Sequence, residues 1–511
     1  YLNTLNNGFV YDDEITVAEN TLINDLGNLG LLFDKKDYFA RSAEKSYRPV
    51  VTFTYFIDHA LYELKSWGYH LTNILLHTAN GVLLYTFLIL LFKQSTLNSP
   101  ATRSFLLNNS PLPITLLFVT HPVLTEAVNA VSYREDLLVF FFYLMTLTLY
   151  LFIRSKSSDN RTTITLAYII SCISYLFAIL SKEMALTLPL IAYSLDWIYS
   201  NDKGKAKIVP NRYVIGYIAI TIICFYIFYN PPRGIIRWTI TERFLTAPWL
   251  ILKHLFLLLA PVNLSAEYMI SPIKSISSFP FIISFLIVIS ALTIAFINRE
   301  KNISFGIIFF VVALIPVLNL MSLGNPFAER YLYLPTVGFS VVAWIVVAHL
   351  FKKKKNLYLL ITFLILLAIY SLAVIKRNAV WHDNLLLWSD TVKKVPKSDR
   401  IHNNLGIEYE KRNRLDEAEQ HYITALRLKP DFAEAYTNLS LVYLKRGWLD
   451  DAQQAAISAL KLNHNYMYAH YNLGLIYIKM GLKDEARKEF ETTLKLSPGD
   501  RGAQKILETL D

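Results

Sequence analysis

Long runs of apolar residues alternate with short polar segments between about residue 71 and residue 375. A run of roughly 17–25 apolar residues can cross the ~30 Å hydrocarbon core of a bilayer as one helix. The pattern predicts a polytopic membrane domain with ten spanning helices, the second of them short or beginning nearer to Phe105. The predicted spans are 71–92, 112–121, 137–153, 164–180, 184–199, 213–229, 279–297, 303–320, 335–351 and 357–375.

Basic residues mark every second loop between these runs, whereas the alternate short loops carry only Arg134, Lys182 or Arg330. Loops rich in Lys and Arg stay on the cytoplasmic side of a membrane. We therefore expect the loop 1–69, and everything after Lys376, to lie on the outer side. The basic loops contain Lys93, Arg103, Arg154, Lys156, Arg161, Lys203, Lys205, Lys207, Arg212, Arg299, Lys301 and Lys352 to Lys355.

One further apolar run, 244–261, does not fit this alternation. Lys253 and His254 lie at its middle, where a charge inside hydrocarbon is costly. We interpret the run as an interfacial or re-entrant helix within a long outer loop, 230–278. The alternative is an ordinary span, which would invert the topology downstream.

Three copies of one pattern follow the membrane domain, at a period of 34 residues. This period predicts tetratricopeptide repeats, each a pair of antiparallel helices, at 399–432, 433–466 and 467–500. Such arrays bind extended peptides or proteins, although a spacer or a dimerisation device is the alternative. Matching positions are Leu405, Leu439 and Leu473; Tyr409, Tyr443 and Tyr477; and Ala418, Ala452 and Ala486.

The predicted organisation is a membrane domain at 1–375, a helical connector at 376–398 and a repeat domain at 399–511 with a final capping helix. The chain has 511 residues, 54% of them hydrophobic. Its net charge of +10 is explained by membrane topology, and we expect no nucleic-acid partner. Cys172 and Cys224 form no metal-binding or disulfide pattern. Since Tyr1 opens a polar stretch, we expect a preceding segment with a first transmembrane helix.

Charged and polar residues recur in the predicted outer loops, close to the ends of the spans. Such groups usually face a polar cavity, and their convergence on one side predicts a single polar site. His70, Asn73 and His77 share one helix face, although His77 alone is better explained as a packed histidine. The candidates for donor-phosphate or substrate binding are Arg48, His70, His121, Glu126, Arg134, Lys182, Glu183, Glu329 and Arg330.

Each of these candidates has a simpler explanation. The pairs Lys182–Glu183 and Glu329–Arg330 could be interfacial anchors, and Arg134 could pair with Asp136 or Glu126.

Asp12 and Asp13 form an acidic pair in the first outer loop, followed by Glu14, which we expect to face solvent. Transfer of a sugar from a phospholipid carrier to a hydroxyl needs a carboxylate that takes the acceptor proton. It also needs cations that neutralise the departing phosphate. The aspartates could instead cap a helix, and a divalent cation such as Mg²⁺ or Mn²⁺ on these carboxylates stays undecided.

The ordered set of motifs resembles the GT-C membrane glycosyltransferases, most closely the transmembrane and tetratricopeptide-repeat O-mannosyltransferases (the TMTC family) and their bacterial relatives. The resemblance covers nearly the whole chain. It depends on the order of the motifs along the chain, because any single motif is weak evidence. The motifs are "FVYDDE", "YRPV", "GYHLTNILLH", "HPVLTEAVNAVSYREDLL", "SKEMALTLPL", "NLSAEY", "AERYLYLP" and the repeats.

This resemblance implies an all-α fold, with a GT-C-type transmembrane domain followed by a repeat solenoid. It implies a polyprenyl- or dolichyl-phosphate sugar donor, usually mannose, and protein Ser or Thr acceptors on the outer or luminal face. Asp12 is then the first choice for catalytic base, Asp13 its support, and Arg48, Lys182 and Arg330 the phosphate-binding cations. A bacterial source would place the protein in the inner membrane, and a eukaryotic one in the endoplasmic reticulum membrane.

Two other functions remain open at this point. A non-catalytic scaffold would use the repeats in envelope assembly or secretion, but it leaves the crowding of charges on one membrane face unexplained. A transporter would show internal repeats across its spans and glycine-broken helices, which are not evident.

Overall fold

The computed structural model describes residues 1–42, 46–96, 110–155, 161–199, 211–228, 238–297, 300–321, 324–351 and 356–510. Among these residues all regular structure is helical, which confirms the all-α fold class. The chain divides into two compact units, Tyr1–Asp383 and Asn384–Asp511. Several residues of the predicted basic loops lie outside the described residues, namely Arg103, Lys156, Lys203, Lys205, Lys207, Arg299 and Lys352 to Lys355.

Fourteen described α-helices build the first unit. They are α1 (Lys35–Arg41), α2 (Pro49–Tyr62), α3 (Ser66–Thr96), α4 (Pro111–Val119), α5 (Thr125–Asn129), α6 (Arg134–Ser155), α7 (Arg161–Ser181), α8 (Leu188–Tyr199), α9 (Arg212–Phe228), α10 (Ile240–Leu259), α11 (Phe279–Ile297), α12 (Lys301–Leu314), α13 (Thr336–Leu350) and α14 (Asn356–Val380). Short 3-10 segments join them at Pro122–Leu124, Val131–Tyr133, Glu183–Thr187, Ile315–Val317 and Glu329–Leu332.

Five described helices are long and apolar enough to cross a bilayer, so the chain is a membrane protein. They correspond to α3, α6, α7, α11 and α14. A sixth candidate is the broken pair formed by α4 and Pro122–Asn129, which bends by 50°. The apolar helices α9, α12 and α13 are shorter, and the predicted span 184–199 contains a 3-10 turn and the 12-residue α8. The number of spans and their sidedness therefore stay predictions.

Helix α10 covers most of the apolar run 244–261, which does not fit the alternation of basic and less basic loops. It begins with a capping box, in which Thr239 and Glu242 each bind the other's backbone N–H. It carries Glu242, Arg243 and Lys253, and it is not one of the five long helices that are apolar enough to cross a bilayer. The non-helical segment 260–278 that follows carries residues of the polar site described below.

Helices α12 and α13 cross with their backbones in close contact at two glycines. A Cβ added at Gly306 would lie 2.8 Å from the carbonyl oxygen of Gly338, and one added at Gly338 would lie 2.7 Å from the amide nitrogen of Phe310. Small residues allow apolar helices to approach in this way. Helix α13 follows directly on the segment that carries Glu329 and Arg330.

The second unit is a repeat solenoid. Its helices are α15 (Asn384–Lys394), α16 (Asp399–Lys411), α17 (Leu415–Leu428), α18 (Ala433–Arg446), α19 (Leu449–Leu462), α20 (Met467–Met480), α21 (Lys483–Leu496) and α22 (Arg501–Leu510). The alanines at the matching positions Ala418, Ala452 and Ala486 are fully buried, in apolar clusters that include residues of the helix that follows each pair. The predicted connector 376–398 is divided between the two units. Its first residues continue α14 to Val380, and its later residues form α15, which packs against α16.

We expect Gly338→Ala to destabilise the first unit, because the added methyl group would meet backbone atoms of α12 that cannot move away independently. Overpacking of this kind costs about 1–3 kcal/mol, which should lower the thermal midpoint in a detergent-based unfolding assay. Gly30→Ala is the matched control, since a Cβ there meets no described atom within 4 Å. Equal midpoints for the two variants would contradict the tight crossing.

Candidate functional site

The backbone separates the two adjacent aspartates of the first loop. Tyr11 has a φ of 59°, a left-handed conformation that reverses the chain just before Asp12 and Asp13. A single π-type turn, Glu14–Ala18, follows. As a result Asp13 is fully buried and Asp12 is only partly buried.

Asp13 attaches the first loop to the segment between α5 and α6. Its Oδ1 accepts a hydrogen bond of 2.7 Å from the Ser132 amide, and its Oδ2 accepts one of 3.3 Å from the Val10 amide. It makes no side-chain cap to the turn that follows it, so the helix-cap alternative does not describe it. Burial raises the pKa of Asp13 to about 6, and the hydrogen bonds from Ser132 limit that rise.

Asp12 points to the other side, towards a tyrosine and an arginine. The Tyr133 hydroxyl donates a hydrogen bond of 2.9 Å to Asp12 Oδ2. The Arg330 guanidinium lies over the same ring, with Cζ 4.0 Å from its centroid, in the geometry of a cation–π contact. One buried aromatic side chain therefore holds the partly exposed carboxylate and a cation next to each other.

Arg330 is itself fixed by a buried glutamate. Its Nη1 lies 2.5 Å from Glu126 Oε1, and its backbone amide donates a 2.9 Å hydrogen bond to Glu126 Oε2. Glu126 is fully buried, while 9% of Arg330 is exposed. Removing one partner of such a pair would leave an uncompensated buried charge.

A second charged cluster lies beside the first. Lys182 Nζ is 2.7 Å from both carboxylate oxygens of Asp136 and 3.0 Å from Glu135 Oε1. Arg48 pairs with Glu135 and, at 3.4 Å, with Glu183. Burial lowers the pKa of Lys182, and the Asp136 carboxylate opposes that shift. Because Lys182 is 3% exposed, it does not have the exposure expected of an interfacial anchor.

Tyr331 joins the two clusters. Lys182 Nζ lies 5.6 Å from the Tyr331 ring centroid, and Arg330 Cζ lies 5.2 Å from it. The residues Asp12, Tyr133, Glu126, Arg330, Tyr331, Lys182, Asp136, Glu135, Arg48 and Glu183 thus form one continuous polar layer, which we call the charged layer. Its most accessible charged groups include Asp12 at one end and the Arg48–Glu183 pair at the other.

Arg134 does not join this layer. It is fully buried, and its guanidinium pairs with Asp58 at 2.6 Å and donates to Asn73 and to the Tyr69 carbonyl. Its partner differs from both acids that the sequence suggested, because α2 places Asp58 directly beside it. These contacts join α2, α3 and α6.

The histidines of the expected site form links within the packed structure. His70 Nε2 contacts the Gly8 carbonyl at 3.3 Å, and His121 Nε2 contacts the Leu258 carbonyl at 3.0 Å. His77 is paired through both ring nitrogens, with the Tyr333 hydroxyl and the Val119 carbonyl. His70 therefore links α3 to the backbone of the first loop, whereas His121 links the segment after α4 to α10.

Glu329 has a separate environment on the other side of Arg330. It accepts hydrogen bonds from the Ser265 amide and from the Tyr268 hydroxyl, the latter at 2.6 Å, and it lies 3.8 Å from Arg377. Burial raises the pKa of Glu329 to about 7, and Arg377 opposes the shift. This carboxylate attaches the segment 260–278 to the end of α14.

A chain of buried asparagines, which sequence analysis missed, anchors the start of the first loop. Asn7 donates to Asn129, which donates at 2.7 Å to the Asn378 side chain. Sequence analysis could have identified Asn129 and Tyr133, because they lie in the same motif as Glu126. Asn378 lies in none of the motifs.

Among the described residues, no three His, Cys, Asp or Glu side chains are grouped to hold a metal ion. A groove of about 540 Å³ lies between α3 and α4, lined mainly by apolar residues together with three threonines, His77 and Tyr1. We base the candidate site on the charged layer, since phosphate and proton chemistry need its groups.

Comparison with protein families agrees with the repeat unit. Tetratricopeptide-repeat family models match residues 407–447, 433–466 and 467–500. In solved structures, the first repeat domain of human RPAP3 is 24% identical over 22% of this chain and 91% of that chain, with a TM-score of 0.22. The MamA protein is 26% identical over 25% of this chain and 69% of that chain, with a TM-score of 0.23.

Curated relatives cover both units of the chain. Protein O-mannosyl-transferase F38B6.6 of Caenorhabditis elegans is 28% identical over 453 residues, which is 85% of this chain and 62% of that protein. Protein O-mannosyl-transferase TMTC3 of Homo sapiens is 26% identical over 84% of this chain and 50% of that protein, and human TMTC1 is 24% identical over 85% and 54%. The chain thus spans about half to three fifths of the length of these relatives. Together with the repeat matches, these findings confirm the expected resemblance: the chain is a relative of the TMTC-type protein O-mannosyl-transferases.

Proposed function

We propose that the first unit transfers a sugar, mannose, from a polyprenyl- or dolichyl-phosphate carrier to Ser or Thr hydroxyls of proteins. The observation that carries this proposal is the partly exposed Asp12 carboxylate, held by Tyr133 beside the Arg330 guanidinium. A base and a phosphate-binding cation are thereby neighbours within one layer. The names of the relatives support mannose and a protein acceptor.

In the proposed reaction, the acceptor hydroxyl oxygen forms a bond to the anomeric carbon of the sugar. The bond between that carbon and the phosphate oxygen breaks, and the carrier phosphate keeps the electron pair. The hydroxyl proton passes to Asp12, which acts as general base. Asp13 cannot share this task in the same way, because its two oxygens already accept bonds from Ser132 and Val10.

The leaving phosphate would rest against the cations of the charged layer. Arg and Lys side chains that are already oriented stabilise a developing charge most effectively. Each of these cations already pairs with a carboxylate. A bound phosphate must therefore displace that carboxylate or share the cation with it. The Arg48–Glu183 contact, at 3.4 Å and partly exposed, would open most easily, so Arg48 is the proposed first contact of the arriving phosphate, which then reacts against Arg330, the cation next to Asp12.

The remaining parts of the proposal concern sidedness and the acceptor. The charge alternation of the loops supports an extracytoplasmic position for the first loop and the repeats. The repeat unit would bind the acceptor protein or a partner protein. A purely structural scaffold is the alternative, and it would not need Asp12.

We predict that Asp12→Asn abolishes transfer, because the amide cannot accept the hydroxyl proton. General-base catalysis contributes about 10²–10⁴-fold to a rate, so we expect at least ~100-fold loss with folding preserved. The assay is full-length protein reconstituted in lipid, given radiolabelled polyprenyl-phosphate mannose and a Ser/Thr-rich peptide pool.

Glu19→Gln is the matched control, because Glu19 is an exposed carboxylate at the end of the same turn. Transfer by wild type and by Glu19→Gln, but not by Asp12→Asn, supports the proposal. Equal transfer by Asp12→Asn would remove Asp12 from the reaction, and a folded wild type inactive with several donor sugars would favour the scaffold.

We predict a separate, pH-dependent effect for Asp13. Its pKa rises from 3.8 in the unfolded reference to about 6 in the native loop, so its stabilising contribution is complete below pH ~3.8 and is lost as pH rises through 6. Between pH values below 3.8 and above 6, the contribution of Asp13 to the free energy of unfolding is expected to differ by roughly 3 kcal/mol. Hydrogen exchange of residues 10–18, corrected for intrinsic rates, should report decreasing protection over this range.

Asp13→Asn should lower protection at all pH values and remove this dependence, because an amide group would face the Val10 N–H donor. Asp25→Asn is the control, since Asp25 is an exposed cap that asparagine can replace. Protection that rises with pH, or an unchanged pH profile in Asp13→Asn, would contradict this account.

A further inference from the structure

The left-handed conformation at Tyr11 is unusual for a tyrosine. The Asp13 amide donates a 3.0 Å hydrogen bond to the Val10 carbonyl, so residues 10–13 form a tight turn. Its second residue, Tyr11, has a φ of 59°. Glycine and asparagine adopt such a φ at the least cost, whereas a bulky side chain there is strained. Reversal of the chain before the two aspartates therefore does not by itself require a tyrosine.

Elsewhere the chain follows this preference. Among the described residues, three of the other four non-glycine residues with a positive φ are asparagines, namely Asn263, Asn319 and Asn413, and the fourth is Glu63. Strained residues that persist are concentrated at ligand-binding sites, where the side chain contributes something that a less strained residue would not. The aromatic ring of Tyr11 is thus the feature that needs a functional explanation.

Three tyrosines are grouped at Arg330. The ring centroids of Tyr133 and Tyr331 lie 4.0 Å and 5.2 Å from Cζ of its guanidinium. The Tyr11 ring packs edge-on against Tyr133, with the centroids 6.2 Å apart and the planes inclined by 81°. Tyr133 and Tyr331 are 4% and 7% exposed, whereas Tyr11 is partly exposed. Tyr11 is therefore the tyrosine of this group that a ligand can reach most easily.

The same ring lies next to the groups of the proposed reaction. Asp12, the proposed base, is the next residue in the chain, and its Oδ2 accepts the 2.9 Å hydrogen bond from the Tyr133 hydroxyl. The donor sugar must lie between this carboxylate and a phosphate held at Arg330. Tyr11 borders that space, because it contacts the one ring, Tyr133, that touches both groups.

We propose that the Tyr11 ring is a binding platform for the sugar of the donor, a pyranose such as mannose; this role rests on the proposed function. One side of a pyranose presents C–H bonds, whose hydrogens carry a small positive charge because the carbons bear oxygen. The face of an aromatic ring is negative, so the two surfaces attract each other while the sugar hydroxyls keep their hydrogen bonds. Small-molecule sites commonly combine aromatic surface with a few polar groups in this way.

The platform distinguishes a carrier that bears a sugar from one that does not. The cations of the charged layer contact the phosphate, which both lipids possess. Tyr11 contacts the sugar alone, so the carrier loses this contact when the sugar has been transferred. The loss weakens binding of the product and favours its release.

The test is equilibrium binding of two radiolabelled lipids, polyprenyl-phosphate mannose and sugar-free polyprenyl phosphate, to the full-length protein in lipid nanodiscs. Tyr11→Asn removes the ring and supplies a residue that accepts the left-handed conformation, whereas Tyr11→Phe keeps the ring. Glu63→Asn is the matched control, because Glu63 has a φ of 55° but lies outside the charged layer with 79% of its side chain exposed. Thermal midpoints are measured in parallel.

We expect Tyr11→Asn to weaken binding of the mannose-bearing lipid about tenfold, with binding of the sugar-free lipid and the thermal midpoint unchanged. Tyr11→Phe and Glu63→Asn should bind both lipids as wild type does. Equal weakening of both lipids in Tyr11→Asn would overturn the platform, because Tyr11 would then only hold the loop against Arg330. Unchanged binding of both lipids would overturn it as well.

Failure of the proposed function gives a different result. Wild type would then bind neither lipid, and the platform would fall with the reaction. Wild type that binds both lipids, together with a Tyr11→Asn variant that does not distinguish them, removes the platform and leaves the proposed reaction in place.

Discussion

The polar part of the first unit depends on one buried carboxylate that joins two segments far apart in the chain. Asp13 sits without exposure to water and takes the amide hydrogens of Ser132 and Val10. A buried carboxylate without these donors would be costly, so the first loop has its low-energy position only against the segment between α5 and α6. That position places Asp12 beside Tyr133, and the neighbouring Tyr11 conformation turns the two acids to opposite sides.

The charged layer explains how several charges can exist near the membrane. Arg330 is paired with Glu126, and Lys182 with Asp136, so burial does not leave these charges uncompensated. Partly exposed groups, namely Asp12 and the Arg48–Glu183 pair, lie at the ends of the layer. In the proposed reaction the lipid phosphate first contacts Arg48 and then rests against Arg330, where the neighbouring Asp12 receives the acceptor hydroxyl.

Sequence reasoning identified features that repeat or that need only composition. The 34-residue period predicted the repeat solenoid, and the long apolar runs predicted the helices α3, α6, α7, α11 and α14. It was less informative where a local interruption decides the structure. The run 303–320 contains Pro316, which ends the regular helix because proline lacks a backbone donor. In the predicted span 184–199, the 3-10 turn at Glu183–Thr187 leaves only the short helix α8. The pairing of side chains could not be predicted, since Arg134 meets Asp58 only because α2 forms within the first loop.

In the proposed reaction, a lipid-linked sugar phosphate binds at the charged layer with its anomeric carbon facing Asp12. The most direct measurement is an experimental structure of the full-length protein in a lipid nanodisc with a non-hydrolysable polyprenyl-phosphate sugar analogue. We expect phosphate density within hydrogen-bond distance of Arg48, Lys182 or Arg330, and the sugar between that phosphate and Asp12. Density for the analogue away from this layer, with Asp12 still bound only to Tyr133, would contradict it.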